Sequence, residues 1–234
     1  MAFVEVRNLT KSYASGVQAL RDVTFDVKKG EWIAVMGPSG SGKSTLLNIL
    51  GCLDAPTSGA VEVEGRDLAA LGAAERARFR AERVGFVFQQ YHLVPYLTAV
   101  ENVMLAMMFA DAVPRRLQRP RASELLARLG LSERLAHKPA QLSRGEQQRV
   151  AIARALANSP PLILADEPCA SLDASTASEV LAIFLAVCRQ DEKTLLLVSH
   201  DEAVLGVADR VIDMAELNRT EARKGLRMTA AVSR

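Results

Sequence analysis

GPSGSGKST, residues 37–45, follows the apolar run WIAVM (Trp32–Met36) and precedes LLNIL (Leu46–Leu50). This is the spacing G-x-x-x-x-G-K-[ST], set between a strand and a helix as a phosphate-binding loop requires. Gly37, Gly40 and Gly42 free the backbone to turn its N–H groups onto phosphate, with Pro38, Ser39 and Ser41 completing the loop. Lys43 reaches toward the β- and γ-phosphates, the Ser44 hydroxyl suits Mg2+, and Thr45 ends the motif. The flanks argue against a chance Gly/Ser loop. A nucleotide site is expected here.

Outward from the loop, short apolar strands alternate with helical patterns. Strands are expected at Phe3–Val6, Val23–Val27, Trp32–Met36, Val61–Val63, Val84–Phe88, Leu162–Ala165, Thr194–Val198 and Arg210–Ile212. Helices are expected over Lys43–Leu50, Ala73–Arg83, Glu146–Ala157, Ala174–Arg189 and Glu202–Ala208. Such alternation predicts an α/β fold, a mostly parallel sheet covered by helices. Residues 98–129 read as mostly helical, broken by a loop around Pro114 and Pro120. They predict a helical insert, about residues 90–157, within one domain spanning 1–215, followed by a polar tail over 216–234. The basic run Arg115–Arg121 reads as a solvated loop.

Leu162-Ile163-Leu164-Ala165 ends in Asp166-Glu167. In a phosphate-loop protein the aspartate steadies Mg2+. Glu167, pointing the other way, is placed to orient or deprotonate an attacking water, which favours hydrolysis over transfer. His200 follows another core strand and can reach a γ-phosphate from the carboxyl edge of the sheet. Gln89 follows Val84–Phe88 and can touch both Mg2+ and the water, with Gln90 the competing candidate.

Composition bounds the rest. Apolar residues are 49% and charged residues 24% of the 234-residue chain, ordinary for a globular protein. A net charge of +2 lacks the strongly basic face of a nucleic-acid binder, so no nucleic-acid partner is expected. Cys52, Cys169 and Cys188 are few and unpatterned, which fits a reducing compartment. MAFVEVRN reads as no secretion signal, and no apolar run approaches the ~20 residues of a membrane span. The expected location is cytoplasmic, peripheral on the inner face of the membrane.

A second helix start with a serine and a glycine, QLSRGEQQRV (Gln141–Val150), offers another anion-facing set of N–H groups. Taken with residues 37–45, Gln89, LILADEP (162–168), SLD (171–173) and SHD (199–201), LSRGE (142–146) completes an ordered set. This set resembles the ATP-binding-cassette (ABC) transporter ATPases, over Phe3 to about Met214. GCLDAPTSG, GFVFQQYHLVPYLTAVENV and GEQQRVAIARALANSP are similar to the subgroup serving lipoprotein release and macrolide-type efflux. The resemblance implies a phosphate-loop NTPase core with an N-terminal antiparallel β part and a helical subdomain. It implies ATP and Mg2+ as cofactors and Tyr13 as the aromatic under adenine. It also implies a head-to-tail dimer in which Ser143 and the Gly145 N–H of one chain close on ATP held by the other, with Asp173 along the seam. A carboxylate placed at Gly145 is accordingly expected to face the partner's γ-phosphate.

Arg144 stands where the family has glycine and is expected to point to solvent. Cys169 stands where threonine is common and reads as a small buried thiol. Met104, Met107 and Met108, with Tyr91, Leu93 and Tyr96, read either as a groove for a helix of another subunit or as ordinary core. Transmembrane permease subunits are expected to dock near residues 89–109. The resulting expectation is the ATPase of an exporter or lipoprotein-release system. The alternative is a non-transport cassette regulating cell-envelope enzymes through a membrane partner. A soluble repair or translation cassette does not fit, because the chain has neither paired cassettes nor a long coiled-coil insert.

Overall fold

The computed structural model describes residues 2–110, 112–199 and 202–218. Trp32–Met36 is a five-residue strand, β3, buried along almost its whole length, because it lies inside a parallel sheet covered on both faces. In chain order the strands are β1 (Val4–Ser12), β2 (Gln18–Val27), β3, β4 (Ser58–Val63), β5 (Arg66–Asp67), β6 (Val84–Phe88), β7 (Leu162–Asp166), β8 (Thr194–Val198) and β9 (Arg210–Asp213). The helices are α1 (Lys43–Leu50), α2 (Ala73–Arg83), α3 (Ala99–Met108), α4 (Arg115–Arg128), α5 (Arg144–Leu156), α6 (Ala174–Gln190), α7 (Glu202–Val207) and α8 (Met214–Leu217).

Two sheets form. The strands β2-β1-β4-β5 make an antiparallel sheet, and β6-β7-β8-β3-β9 a parallel one. The expected α/β architecture with an antiparallel N-terminal part is therefore what the chain adopts. Period-two alternation divides the parallel strands between two cores. Ile33, Val35, Leu162, Leu164, Leu196, Val198 and Ile212 pack with α1 and the antiparallel sheet. Trp32, Ala34, Val87, Ile163, Ala165, Leu195 and Leu197 pack on the other face with α3, α4, α5 and α6.

Several elements differ from the sequence reading: β4 begins earlier, at Ser58, and β5 and α8 were not expected. β1 and β2 are much longer than expected. Their pairing shifts register between Val6 and Leu9 and again around Lys11, while Asn8 and Asp22 take positive φ, so the apolar alternation that signals a strand is broken. The basic run 115–121 is helix rather than solvated loop, and Pro120 lies inside α4. An interior proline costs about 3 kcal/mol. Here Ala122, Leu125 and Leu126 are buried from the same helix. The Arg121 guanidinium donates to Ala157 O at 2.6 Å, and Gln118 donates to Val113 O at 3.1 Å. These tertiary contacts hold the helix through the proline.

The boundary expected after residue 215 falls inside α8, and Asn218 beyond that helix is buried. Among the described residues no helix is long and apolar enough to cross a membrane.

Candidate functional site

β3 delivers the chain to the phosphate loop, and three glycines let the loop turn there. Gly37, Gly40 and Gly42 have φ of 140°, 77° and 95°. At Gly42 space is excluded as well as conformation, since a Cβ would lie 2.6 Å from Ala19 O and 2.6 Å from Leu20 Cδ2. Lys43 is buried and curls over its own loop, donating to Gly37 O at 2.6 Å and Pro38 O at 3.1 Å. Ser41 Oγ is buried with no hydrogen-bond partner among the described residues. The first turn of α1 carries no acidic side chain, so its N–H groups and positive dipole end face outward uncompensated. A buried cation, an orphaned hydroxyl and a helix start without a carboxylate fit a polyphosphate.

Parallel register then gathers the other groups at the same edge. Phe88 pairs with Asp166, Asp166 with Val198, and Val198 with Val35. Gln89, the Asp166-Glu167 pair, Ser199 and the loop at Gly37 therefore leave the sheet side by side from the carboxyl ends of β6, β7, β8 and β3. His200 and Asp201 lie outside the described residues. Glu167 does more than alternate off the strand end, because its backbone is left-handed, with φ 45°, and its N–H donates to Val198 O at 3.1 Å. A non-glycine residue held there is strained, and such strain clusters at functional sites. Gln89 and Gln90 are both exposed, and Gln89 is the one tied to the 171–173 segment, by Ser171 Oγ donating to its carbonyl at 3.3 Å.

Tyr13 sits just past β1 and is 38% exposed. Its hydroxyl donates to Asp54 Oδ2 at 3.2 Å and lies 3.5 Å from Thr45 Oγ1, which places the ring beside the phosphate loop. Lys11 Nζ stands 4.9 Å from the ring centroid and 2.6 Å from Asp54 Oδ1. Burial pushes the Asp54 carboxyl up, but hydrogen bonds from Lys11 and the Ala55 N–H outweigh it and hold the group below its usual range. Lys11 and Asp54 were invisible as a pair in the sequence, being 43 positions apart.

The second helix start is built differently. Ser143 caps α5: its Oγ accepts from Glu146 N–H at 3.2 Å, and Glu146 Oε2 accepts from Ser143 N–H at 2.8 Å. Arg134 donates to Glu146 Oε1 at 2.8 Å. Burial raises the Glu146 pKa, and the Ser143 and Arg134 bonds more than reverse that, leaving it lowered. Asp173 caps α6, accepting from Thr176 N–H at 3.0 Å. A cleft of about 320 Å³ runs between Ser143, Arg144, Gly145, Leu172, Asp173 and Thr176.

Arg144 is exposed, as expected. Gly145 departs from expectation. It is buried, and a Cβ there would meet Thr176 Cγ2 at 2.5 Å, so a side chain at 145 is driven into α6 of its own chain. A side chain at 145 needs the Thr176 methyl to move, a contact the sequence could not show.

The structure thus brings Ser143, Gly145 and Asp173 together, and separately gathers Tyr13, residues 37–45, Gln89, Asp166 and Glu167. It does not join residues 37–45 to Ser143 and Gly145. α1 packs on one face of the parallel sheet through Leu46, Leu47, Ile49 and Leu50, and α5 on the other through Val150, Ile152, Ala153 and Leu156. Among the described residues no hydrogen bond or ion pair links residues 37–45 with 143–145.

Cys169 packs against the helical core but is half-buried, where the sequence reading expected a buried thiol. The methionines divide: Met107 is fully buried, Met104 packs partly against the core, and Met108 is exposed. Beside them a groove of about 890 Å³ is lined by Phe86, Phe88, His92, Phe109, Arg154 and Asn158, among others. Arg154, whose pKa burial lowers, reaches from α5 to the carbonyls of Tyr91 at 2.8 Å and His92 at 2.5 Å. Sequence reasoning missed it, because an arginine on a helix gives no sign of which loop it will hold.

A phosphate loop on a parallel sheet, with paired carboxylates at the end of a strand two positions away and a capped second helix start, defines a nucleoside-triphosphate-hydrolysing domain. Residues 20–170 match the family described as ABC transporter, and the chain belongs to that family. It is an ATP-binding cassette of the ATPase kind. An uncharacterized ABC transporter ATP-binding protein of Methanocaldococcus jannaschii, MJ0796, is 45% identical over 95% of this chain and 98% of its own length. A macrolide export ATP-binding/permease protein, MacB, of Rhodopseudomonas palustris is 49% identical over 91% of this chain. The chain spans about a third of the length of that relative, 33%. The dimeric post-hydrolysis structure of the MJ0796 cassette bound to ADP and Pi is similar at a TM-score of 0.81 and 46% identity, covering 90% of this chain and 93% of that one.

Proposed function

We propose that this chain is the ATP-hydrolysing subunit of an ABC transporter, acting as a head-to-tail pair on separate transmembrane subunits for export or lipid and lipoprotein release. The observation that carries the reading is the attachment of α1 and α5 to opposite faces of one sheet. A triphosphate seated on residues 37–45 meets a Ser143–Gly145 helix start only when a second chain supplies it. The dimeric form of the similar MJ0796 cassette supports this arrangement.

In this reading Tyr13 stacks under adenine, and the phosphate loop and Lys43 hold the triphosphate. Ser143 and the Gly145 N–H of the partner chain cover the γ-phosphate, with Asp173 beside them. Ser44, Asp166 and Gln89 would hold Mg2+, which supplies charge neutralisation at phosphate oxygens. Among the described residues no three His, Cys, Asp or Glu side chains form a metal cluster, and a nucleotide-bound Mg2+ needs only one or two protein ligands beside phosphate and water. Glu167 accepts the proton of the attacking water, its carboxyl aimed by the left-handed turn. Loss of the γ-phosphate removes the contacts that join the two chains, so the pair reopens.

The groove beside Phe86 and Arg154, to which the expected docking region of residues 89–109 contributes His92, Ala106 and Phe109, suits a permease segment. The MacB relative, a combined ATP-binding/permease protein, supports such a pairing. The subunit would work peripherally on the cytoplasmic membrane face.

Replacing Glu167 by glutamine tests the reading. E167Q should keep ATP binding, slow hydrolysis by roughly 10²–10⁴ and accumulate as an ATP-dependent dimer in size-exclusion chromatography. Normal turnover by E167Q would place the water on another residue.

A further inference from the structure

Asn218, directly after α8, is held in a buried environment. Asn218 is 7% exposed, and its carboxamide makes three hydrogen bonds, all to main chain. Its Nδ2 donates to Ala19 O at 2.7 Å and to Ser41 O at 2.9 Å, and its Oδ1 accepts from the Arg21 N–H at 2.8 Å. Ser41 is 177 positions away in sequence and belongs to the phosphate loop. Asparagine suits this task, because its side chain combines two N–H donors with an acceptor; aspartate offers no donor and serine one.

The residues leading to Asn218 build the same contact. β9 pairs with β3 through Asp213 and Met36, one residue before the loop. The Asp213 carboxylate accepts from Ala215 N–H at 2.7 Å and so turns the chain into α8. Met214 is buried beneath the loop, its Cβ 3.2 Å from where a Cβ at Gly37 would stand.

We infer that Asn218 is a positioning residue for nucleotide binding: it orients the Ser41–Gly42 peptide of the phosphate loop. The inference rests on residues 37–45 holding the triphosphate. A trans peptide is planar, and its C=O and N–H point in opposite directions. Asn218 draws the Ser41 carbonyl to the packed side of the loop, where Ala19 and Leu20 also crowd Gly42. The Gly42 N–H is thereby turned to the open side, the side from which an anion approaches. A peptide without this restraint can rotate and present its carbonyl to phosphate instead. Asn218 and the β2 edge prevent that rotation before ligand arrives, so the orientation is preorganised.

The test compares full-length wild type, Asn218→Ala, Asn218→Asp and Lys43→Ala by titration with a fluorescent ATP analogue and MgCl2. Amide hydrogen exchange of the peptide covering 37–46 is followed without nucleotide. Both Asn218 variants should bind about ten- to a hundredfold more weakly, the loss that goes with a hydrogen bond to a charged group, and their loop peptide should exchange faster. A purely structural anchor would lower thermal stability and leave affinity and loop exchange unmoved in the folded variants. Near-normal affinity in folded Asn218 variants, with Lys43→Ala weak, overturns the inference and leaves the nucleotide site standing. Near-normal affinity in Lys43→Ala removes the nucleotide site itself, and the inference with it. Should the Asn218 variants not fold, exchange in the wild type decides: nucleotide should protect residues 37–46 and 214–218 together, and protection of the loop alone overturns the coupling.

Discussion

Ser143→Asp is the perturbation that most directly tests the two-chain site. Aspartate caps a helix about as well as serine, so α5 keeps its N–H partner, while the new carboxylate stands beside that of Glu146; stability should change by no more than about 1 kcal/mol. Gly145 is the wrong place for the same charge, since the 2.5 Å approach to Thr176 Cγ2 makes any side chain there a packing lesion within its own chain. Ser143 is exposed at its helix start, so a carboxylate there projects toward whatever docks on α5. A carboxylate about 4 Å from a γ-phosphate charge, at an effective dielectric constant of about 20, costs about 4 kcal/mol. That is roughly a thousandfold, enough to silence a site. Ser143→Asp alone and Lys43→Ala alone should each be inactive, because every site of either homodimer carries one lesion.

A mixed dimer places both lesions in one site and leaves the other intact. Equal mixing makes half the dimers mixed, each with one working site of two, so about a quarter of wild-type ATPase activity should return if the sites act independently. The assay is phosphate release at saturating ATP with differently tagged chains, together with cross-linking to count mixed dimers. Sites contained in single chains would restore nothing. A confirmed mixed dimer that neither hydrolyses ATP nor forms more readily with it refutes the head-to-tail arrangement.

Gly42→Ala should cost about 1–3 kcal/mol for its left-handed backbone alone, with the Cβ contact at Ala19 O shifting the loop; urea unfolding and nucleotide titration should both register it, and full stability would contradict the packing described. Burial pushes the Cys188 thiol up to about 12, so a thiol reagent at pH 8 should leave it unlabelled in the folded chain while half-buried Cys169 reacts first, as peptide mapping would show. The Glu146 carboxyl is held below its ordinary value of 4.5, so it stabilises the fold above that pH and loses the contribution as pH falls through the lower folded value. The stability difference between wild type and E146Q, read from urea melts, should therefore be full at neutral pH and shrink progressively below about pH 4.5; a pH-independent difference would remove Glu146 as the titrating group.

By itself the sequence determined the parts whose chemistry is local. Glycine spacing, a lysine one residue on and a buried strand before them specify a phosphate loop, because the backbone freedom and the charge that it needs lie within nine residues. A strand of four apolar residues ending in Asp166-Glu167 was equally legible, and the resemblance singled out Ser143 and Asp173, which the structure places at the starts of α5 and α6.

What tertiary structure alone decided depends on contacts between distant segments. The face of the sheet on which each helix lands separates α1 from α5, and the alternation of strand residues says only that both faces are buried. Pro120 stays in a helix because Leu125, Leu126 and Arg121 find partners from other elements. Gly145 lies against the Thr176 methyl, and Glu167 takes its left-handed turn beside the Val198 carbonyl. Asn218 holds Ser41 across 177 positions, where composition read only a polar tail. Local patterns fix which groups a segment offers; which of them meet is set by packing, whose energy is shared among residues no short window contains.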